Sequence, residues 1–340
     1  MTDLLINEVL QTPEYEFLLT HPQLKGRLLF VTFGGSHAYG TNIPGSDVDM
    51  RGCALNSPSD LLGLTNFEAV LDDHTDTTIY SFNKLISLLL NVNPNTIEML
   101  GCRPEHYAMV HPLGQRLIDA RRMFLSKRAV KSFGGYASQQ LRRLQNALAR
   151  DSYPQPEKEA HILQSCEAAA FTFPHRYASF SEEQLRLHLA PSDSEDRELE
   201  IVADVQMKAV PLRQFVSISN ELTNVLKDYD QLNTRNRKKD DAHLCKHMMH
   251  LIRLHLMCLD ILEKEEIITF READRPLLIS IRRGDDLRDG RITPEFTELL
   301  HSLEQRLNYA KEQTSLPEDP DFDQINDFVV EINREALNID

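Results

Sequence analysis

The stretch VTFGGSHAYGTNIPGSDVDMRG, residues 31–52, constrains the fold more than any other part of the chain. A glycine turn follows an apolar run, and two aspartates one residue apart follow the turn after a short polar connection. If VDM is a strand, Asp47 and Asp49 point to the same side, because side chains along a strand alternate between its faces. Like charges this close are unfavourable unless a positive group lies between them. The spacing therefore predicts a cation site on this face.

The glycine turn and the aspartate pair together suit one kind of ligand, a phosphate group with its bound metal ion. Carboxylate oxygens are hard ligands that fit Mg²⁺ or Mn²⁺ better than zinc. Bare backbone at Gly34 and Gly35 lets amide groups approach phosphate oxygens, and Ser36 adds a hydroxyl donor. The stretch is thus predicted to hold phosphate on one side and its metal on the other. Each half alone has a plain structural alternative, either a ligand-free turn or two acids in a solvated loop.

The first hundred residues indicate mixed secondary structure. Short strands are predicted in GRLLFVTFGG, VDMRGCAL and DTTIYS. FNKLISLLLNVN predicts a helix directly after the third strand, and NTIEML predicts another with Asn95 as its cap. From about residue 111 onward, long charged segments with few glycines predict amphipathic helices. We therefore expect an α+β protein, with a small mixed sheet in residues 1–110 and a mainly α-helical domain in residues 111–340.

Composition excludes several classes of protein. The chain has 340 residues, enough for about two domains of ordinary size. Its net charge of −15 argues against nucleic-acid binding through overall basicity. Five scattered cysteines without a Cys-x-x-Cys pair disfavour both a disulfide framework and a zinc ribbon. The N-terminus has acids where a signal peptide has a basic start, and no apolar run approaches a membrane span. We expect a cytoplasmic protein with no membrane partner.

The motif GGSHAYGTNIPGSDVDMRG resembles the signature of the DNA polymerase β-type nucleotidyltransferase superfamily. In that signature a glycine turn at a helix start precedes Asp-x-Asp on the next strand. GSHAYG, SDVDMRG, NPNTIEML, SFGGYASQQLRRL and HMMHLIRL are similar to the branch labelled RNA-repair-pathway polymerase-β-like proteins. The resemblance is strongest over residues 28–107 and continues more weakly to about Gly284. It implies transfer of a nucleoside monophosphate from an NTP to a hydroxyl, with release of pyrophosphate.

The resemblance also implies a set of metal ligands. Asp47 and Asp49 match the carboxylates that bind two catalytic Mg²⁺ or Mn²⁺ ions, and a third carboxylate comes from a neighbouring strand. Asp76, just ahead of TTIYS, is the expected third ligand, with Asp72 and Asp73 as rivals. It would hold one metal and help to deprotonate the attacking hydroxyl. The structural alternative for Asp76 is an ordinary turn acid.

Two further residues of the motif are candidates for nucleotide binding. His37 follows Ser36 at the turn, where it would either contact a phosphate or pack against the protein. Arg51 lies two residues beyond Asp49 and so shares its face of a strand. It is either a phosphate contact or a structural partner of the aspartates, and we favour the structural role.

A helix predicted from Asp241 to about Glu263 has two distinct faces. The apolar face contains Leu244, Met248, Leu251, Ile252 and Leu259. The opposite face contains His243, His247 and His250, flanked by Lys246 and Arg253. Three readings remain open: a histidine metal site, a polar interface in which Lys246 and His250 meet the triphosphate or an RNA phosphate, and a solvated face.

The acceptor is the part of the reaction that the residues constrain least. The branch implies an RNA, either a tRNA or a broken RNA 3′ end. The basic stretches RNRKK and RRGDDLRDGR would contact such a polynucleotide or form solvated surface. Two alternatives use the same fold: transfer of AMP to a protein side chain, and a catalytically weak nucleotide-binding or antitoxin-like protein.

Overall fold

The computed structural model describes residues 5–152, 155–171, 173–177, 180–193, 198–235, 241–288 and 291–337. The strands are β1 Leu28–Phe33, β2 Met50–Ala54, β3 Ala69–Asp72, β4 Thr77–Ser81, β5 Tyr107–Ala108, β6 Leu185–Pro191, β7 Leu199–Val205, β8 Leu287–Arg288 and β9 Arg291–Ile292. The helices are α1 Ile6–Val9, α2 Phe17–Thr20, α3 Gly35–Tyr39, α4 Pro58–Leu62, α5 Phe82–Leu89, α6 Pro94–Ile97, α7 Pro112–Asp119, α8 Arg128–Ser152, α9 Gln155–Ala170, α10 Phe173–Arg176, α11 Leu212–Arg235, α12 Asp241–Lys264, α13 Arg275–Arg283, α14 Pro294–Gln313 and α15 Phe322–Ala336. Short 3₁₀ helices cover Pro13–Tyr15, Glu98–Gly101, Pro104–His106, Ala120–Phe124 and Glu182–Gln184.

A five-stranded mixed sheet has the strand order β3-β4-β2-β1-β5. β2 and β4 pair in parallel, and the other neighbours pair antiparallel. β1, with the sequence LLFVTF, is buried along almost its whole length, as its continuous apolar run predicts for a strand near the centre of a sheet. The predicted α+β class is confirmed, and the three predicted strands correspond to β1, β2 and β4.

Helices on the sheet follow from local sequence signals. Ser81 caps α5 by accepting a hydrogen bond from the Lys84 amide at 3.2 Å, and α5 packs on β2 and β4. The apolar residues of α5 at helical spacing, Phe82, Leu85, Ile86 and Leu89, are buried. The next helix is capped by Asn93, whose side chain accepts from the Asn95 amide at 3.0 Å. The cap predicted at Asn95 is therefore wrong by two residues, because Pro94 starts the helix.

The chain divides into two compact units. The first contains residues 1–140, 249–283 and 294–340, and the second contains residues 141–248 and 284–293. The boundary expected after residue 110 falls inside the first unit, since α7 packs on β1. α15 also joins this unit, where Arg116 of α7 forms ion pairs with Glu331 at 2.7 Å and Glu335 at 2.5 Å.

The second unit contains a β-hairpin that the sequence analysis did not predict. β6 and β7 pair antiparallel from Leu185 opposite Val205 to Pro191 opposite Leu199. Its alternating sequence LRLHLAP was a readable signal for a strand. The hairpin packs on α9, and α9 packs on α11, around the buried residue Ile162.

Two global expectations concern membranes and disulfides. None of the helices in the described ranges is both long and apolar enough to cross a membrane. All five cysteines are free thiols.

Candidate active site

The glycine turn lies where β1 ends and α3 begins. Gly34 caps α3 with an extended backbone, and its N–H donates a hydrogen bond to the Asp49 carbonyl at 2.8 Å. Gly35, the first residue of the helix, has a φ of +53°, which favours glycine. The amide of Gly34 is therefore occupied within the fold. The amides of Gly35, Ser36 and His37 lack an intrahelical acceptor, because the first such bond runs from the Ala38 amide to the Gly34 carbonyl at 3.2 Å.

The Asp49 side chain fills the space beside both glycines. A Cβ atom on Gly35 would lie 1.8 Å from Asp49 Oδ2. A Cβ atom on Gly34 would lie 2.9 Å from Arg51 Cγ and 3.2 Å from Asp49 Cβ. The glycines are thus required by the close approach of the aspartate, and the two halves of the motif form one contiguous surface.

Asp47 and Asp49 lie immediately before a strand rather than within it. The strand predicted over VDMRGCAL begins only at Met50, because pairing with β4 begins where Met50 lies opposite Thr77. Asp47 is exposed and Asp49 is half-buried. The Asp49 carboxylate lies 3.7 Å from the guanidinium of Arg51, which agrees with the structural role favoured for this arginine.

Asp76 reaches the same edge of the sheet through the parallel pairing of β2 and β4. Its carbonyl accepts hydrogen bonds from the Met50 amide at 3.3 Å and from Arg51 Nη1 at 2.5 Å. Asp76 has a φ of +48°, a conformation that is uncommon for residues other than glycine, and its side chain is exposed. The assignment of Asp76 as the third ligand stays a prediction.

The rival acids have different surroundings. Asp72 accepts hydrogen bonds from the Thr75 amide at 2.9 Å and from the Thr75 hydroxyl at 2.6 Å, so its carboxylate stabilises the turn. Asp73 is exposed at the tip of the same turn.

The donor chemistry of the aspartates fits a hard divalent cation. Mg²⁺ is usually bound by one or two carboxylates together with substrate phosphates, and Asp47 and Asp49 supply such a pair. Within the described ranges, no three His, Cys, Asp or Glu side chains are grouped closely enough to hold a metal ion. The complete set with Asp76 therefore stays a prediction.

His37 and Ser36 lie in the first turn of α3. Ser36 is buried, and the His37 ring packs against the Phe33 ring with centroids 5.8 Å apart. His37 Nε2 is buried and makes no hydrogen bond to any residue in the described part of the chain. The structure thus shows an aromatic contact for His37, and its phosphate contact stays a prediction.

A buried polar network supports α3. The Tyr39 hydroxyl donates to Glu98 Oε1 at 2.8 Å, and Arg253 Nη1 donates to Glu98 Oε2 at 3.1 Å. The Arg253 guanidinium also lies over the Tyr39 ring at 3.6 Å. Burial raises the pKa of Tyr39 well above its usual range, Arg253 lowers it, and Glu98 raises it further. The polar-face position predicted for Arg253 is wrong, because this side chain is buried against an acid that is distant in sequence.

α12 carries the remaining predicted residues. Its apolar face is confirmed, since five residues are buried: Leu244, Met248, Leu251, Ile252 and Leu259. The His250 ring packs edge-on against the Tyr39 ring at 6.2 Å, whereas Lys246 is exposed and belongs to the second unit. No metal-binding group occurs among the histidines of this helix that the structure describes.

α13 anchors the connection between the glycine turn and the aspartates. Arg275 Nε donates to the Gly40 carbonyl at 2.7 Å. Arg282 donates to the Thr41 carbonyl and to the Ser46 hydroxyl, the latter at 3.2 Å. Arg282 was predicted to contact RNA or solvent, and it binds this connection instead. The other basic stretch, RNRKK, covers residues 235–239. All of it except Arg235 lies outside the described residues.

Comparison with protein-family models gives a match over part of the chain. Residues 11–163 match the model of the RNA repair pathway DNA polymerase beta family. This confirms the branch that the motifs resemble and points to a polymerase β-like nucleotidyltransferase. No curated protein and no solved structure shows a significant match to the chain.

The matched residues contain the whole sheet edge described above, with the glycine turn, Asp47, Asp49 and Asp76. They end before α12, so Lys246 and His250 lie outside the match. The family match therefore bears on the motif and leaves the contribution of α12 to be tested separately.

Proposed function

We propose that the protein is a metal-dependent nucleotidyltransferase that transfers a nucleoside monophosphate from an NTP to a hydroxyl of an RNA, either a tRNA or a broken RNA 3′ end. The observation that carries the proposal is the close packing of the Asp49 carboxylate against the Gly35 backbone. Both residues lie in a segment that matches a polymerase β family. This contact places a carboxylate beside amides that have no intrahelical acceptor, where the metal and the triphosphate of one substrate would meet.

The residues of the turn would bind the triphosphate. The amides of Gly35 and Ser36 and the Ser36 hydroxyl would donate to phosphate oxygens, while Gly34 keeps Asp49 in place. His37, with a buried and unpartnered Nε2 within the described chain, is a further candidate donor to phosphate.

Asp47, Asp49 and Asp76 would hold two Mg²⁺ or Mn²⁺ ions, which when bound stabilise charge on the attacking and leaving oxygens. Asp76 would also accept the proton of the attacking hydroxyl. Arg51 would act as a positioning residue, because it contacts Asp49 and the Asp76 carbonyl simultaneously.

Lys246 and His250 are proposed as additional triphosphate contacts from α12. The packing of His250 on Tyr39, at the end of α3, supports a place for His250 near the turn. Lys246 has the charge and exposure for a phosphate contact. The five free cysteines support a reducing compartment such as the cytoplasm.

The test is incubation with each NTP, labelled at the α phosphorus, with Mg²⁺ or Mn²⁺ and with or without total RNA. We expect label in RNA for the unaltered protein and none for the Asp47→Asn/Asp49→Asn variant. Asp323→Asn/Asp327→Asn is the matched control, since it removes two exposed acids from α15, outside the motif. Label in protein instead of RNA would establish protein nucleotidylation.

Absence of any transfer, together with absence of NTP binding in calorimetry, would reject the enzyme. NTP binding without transfer would favour the catalytically weak, antitoxin-like alternative. That alternative is kept because the third carboxylate does not join the other two in a metal-site geometry within the described residues.

A further inference from the structure

A cavity of about 770 Å³ opens beside the first half of α8. Its wall contains four cationic residues, Lys127, Arg128, Lys131 and Lys311. Two of them are neutralised, because Lys127 pairs with Glu318 at 2.9 Å and Arg128 pairs with Asp319. Lys131 and Lys311 are exposed and form no ion pair with any residue in the described part of the chain. The cavity is thus locally basic in a chain whose net charge is −15.

Gly134 and Gly135 lie inside α8 and face open space. A Cβ atom at either position would have no described atom within 4 Å, and neither residue has a positive φ. Neither the packing nor the backbone conformation of the described chain explains these glycines. Glycine is unfavourable inside a helix compared with alanine. Close approach of a ligand to the helix surface would account for these glycines, and Gly135 lines the cavity.

Tyr136 adds an aromatic ring to the same wall. Its hydroxyl accepts a hydrogen bond from Asn93 Nδ2 at 3.1 Å, which fixes the ring, and the side chain is only half-buried. A partly exposed ring of this kind is a stacking surface for a base.

Tyr80 connects this wall electrostatically with the candidate active site. Burial raises the pKa of Tyr80, with Arg51 lowering it and Tyr136 raising it. The pKa of Tyr80 thus responds to both the arginine that contacts Asp49 and the tyrosine of the cavity wall.

We propose that this cavity binds single-stranded RNA, with backbone phosphates at Lys131 and Lys311 and a nucleoside packed on Tyr136 over the open face of Gly134 and Gly135. The two lysines come from different helices, α8 and α14, and each would contact a backbone phosphate of the strand. The role of this strand as acceptor rests on the proposed function, whereas its binding does not.

The first test measures fluorescence anisotropy of a short labelled single-stranded RNA titrated with the full chain at several salt concentrations. Lys131→Gln/Lys311→Gln should weaken binding about tenfold and reduce the salt slope by about 1.4, since each phosphate contact on a single strand contributes about 0.7. Lys25→Gln/Lys208→Gln makes the same charge change at exposed positions outside the cavity and should leave binding unchanged. Equal weakening by both pairs would overturn the proposal.

The second test uses Gly134→Ala/Gly135→Ala, which adds only two methyl groups to open space. We expect a higher melting temperature together with weaker RNA binding, a combination that damage to the fold would not produce. Unchanged RNA binding in this variant, or displacement of RNA by an acidic peptide as readily as by unlabelled RNA, would also overturn the proposal.

Failure of this inference is distinguishable from failure of the proposed function. The Asp47→Asn/Asp49→Asn variant should still bind the labelled RNA, because neither residue lines the cavity. RNA bound at the lysines without nucleotidyl transfer by the unaltered protein would reject the function and leave the binding site standing. Transfer to RNA with an unchanged KM for RNA in the lysine variant would reject the site and leave the function standing.

Discussion

Asp49 Oδ2 lies 1.8 Å from the position that a Cβ atom on Gly35 would take. The carboxylate therefore rests directly on the backbone of the turn, at a residue whose φ is +53°. Position 35 and the orientation of Asp49 are coupled, because any side chain at position 35 must displace the carboxylate. The sequence alone suggests that Gly35 serves only the conformation of the turn. In the structure, its missing side chain also leaves the space that the Asp49 carboxylate occupies.

Gly35→Ala is accordingly expected to abolish nucleotidyl transfer. The left-handed conformation costs a residue with a Cβ atom about 1 kcal/mol, and the methyl group also moves Asp49. Gly26→Ala is a matched control, since Gly26 has a φ of +70° with no atom within 4 Å of a Cβ position. It should lose a similar amount of stability and keep full transfer activity. Equal activity losses in the two variants would show that backbone strain alone is responsible.

Arg51→Lys tests the bridge between Asp49 and Asp76. Arg51 Nη1 donates to the Asp76 carbonyl at 2.5 Å and to the Met50 carbonyl at 2.8 Å, while Nη2 lies 3.7 Å from Asp49 Oδ1. A lysine ammonium cannot span these acceptors in the same way. We expect transfer to fall about tenfold, or about 1.4 kcal/mol in the barrier, with a smaller change in folding stability because the site is partly exposed.

The control for this substitution is Arg186→Lys, at an exposed strand position of the second unit. It should leave transfer unchanged. If Arg51 contacted only the substrate, Arg51→Lys would raise KM for the NTP without lowering kcat, whereas a positioning role predicts a lower kcat.

The network of Tyr39, Glu98 and Arg253 predicts non-additive stability changes. Arg253→Met would leave the Glu98 carboxylate buried without its cation, which costs about 3–5 kcal/mol. Adding Glu98→Gln removes that charge, so the double variant should be more stable than Arg253→Met alone. Urea unfolding followed by circular dichroism measures this, since the chain has no tryptophan. A double variant as unstable as the sum of the single ones would contradict the coupling.

Much of the sheet and of the motif could be predicted because the relevant forces act locally. The apolar run that became β1, the glycine turn and the helical spacing of α5 each involve neighbours within a few residues. Asp47 and Asp49 were placed on a strand because alternation alone does not show where pairing begins. The first residue of β2 is set by its pairing with β4, which begins where Met50 lies opposite Thr77.

The parts that were missed depend on partners distant in sequence. Arg253 pairs with Glu98, 155 residues away, and no periodicity on its own helix indicates that contact. Arg282 similarly binds the carbonyl of Thr41, 241 residues away. Arg253 was assigned to a polar helix face from its helical spacing, and Arg282 was assigned to a basic run that contacts RNA or solvent. In the folded protein each arginine instead donates to a buried acceptor, Arg253 to the Glu98 carboxylate and Arg282 to the Thr41 carbonyl.

Buried thiols predict a loss of stability at alkaline pH. Burial raises the pKa of Cys258 to about 12, from an ordinary value near 9.0. The folded state therefore keeps the Cys258 proton where the unfolded state releases it, so stability is fully present below about pH 9 and falls as pH rises towards about 12. At pH 10 this thiol alone should account for a loss on the order of 1 kcal/mol.

The measurement compares urea unfolding of the unaltered protein and of Cys258→Ala from neutral to alkaline pH. The variant loses packing at every pH, but its stability should fall less steeply above about pH 9 because one titrating group is gone. The same burial should protect Cys258 from iodoacetamide in the folded protein and expose it after unfolding. Parallel stability curves for the two proteins would show that other groups, such as tyrosines and lysines, account for the alkaline loss.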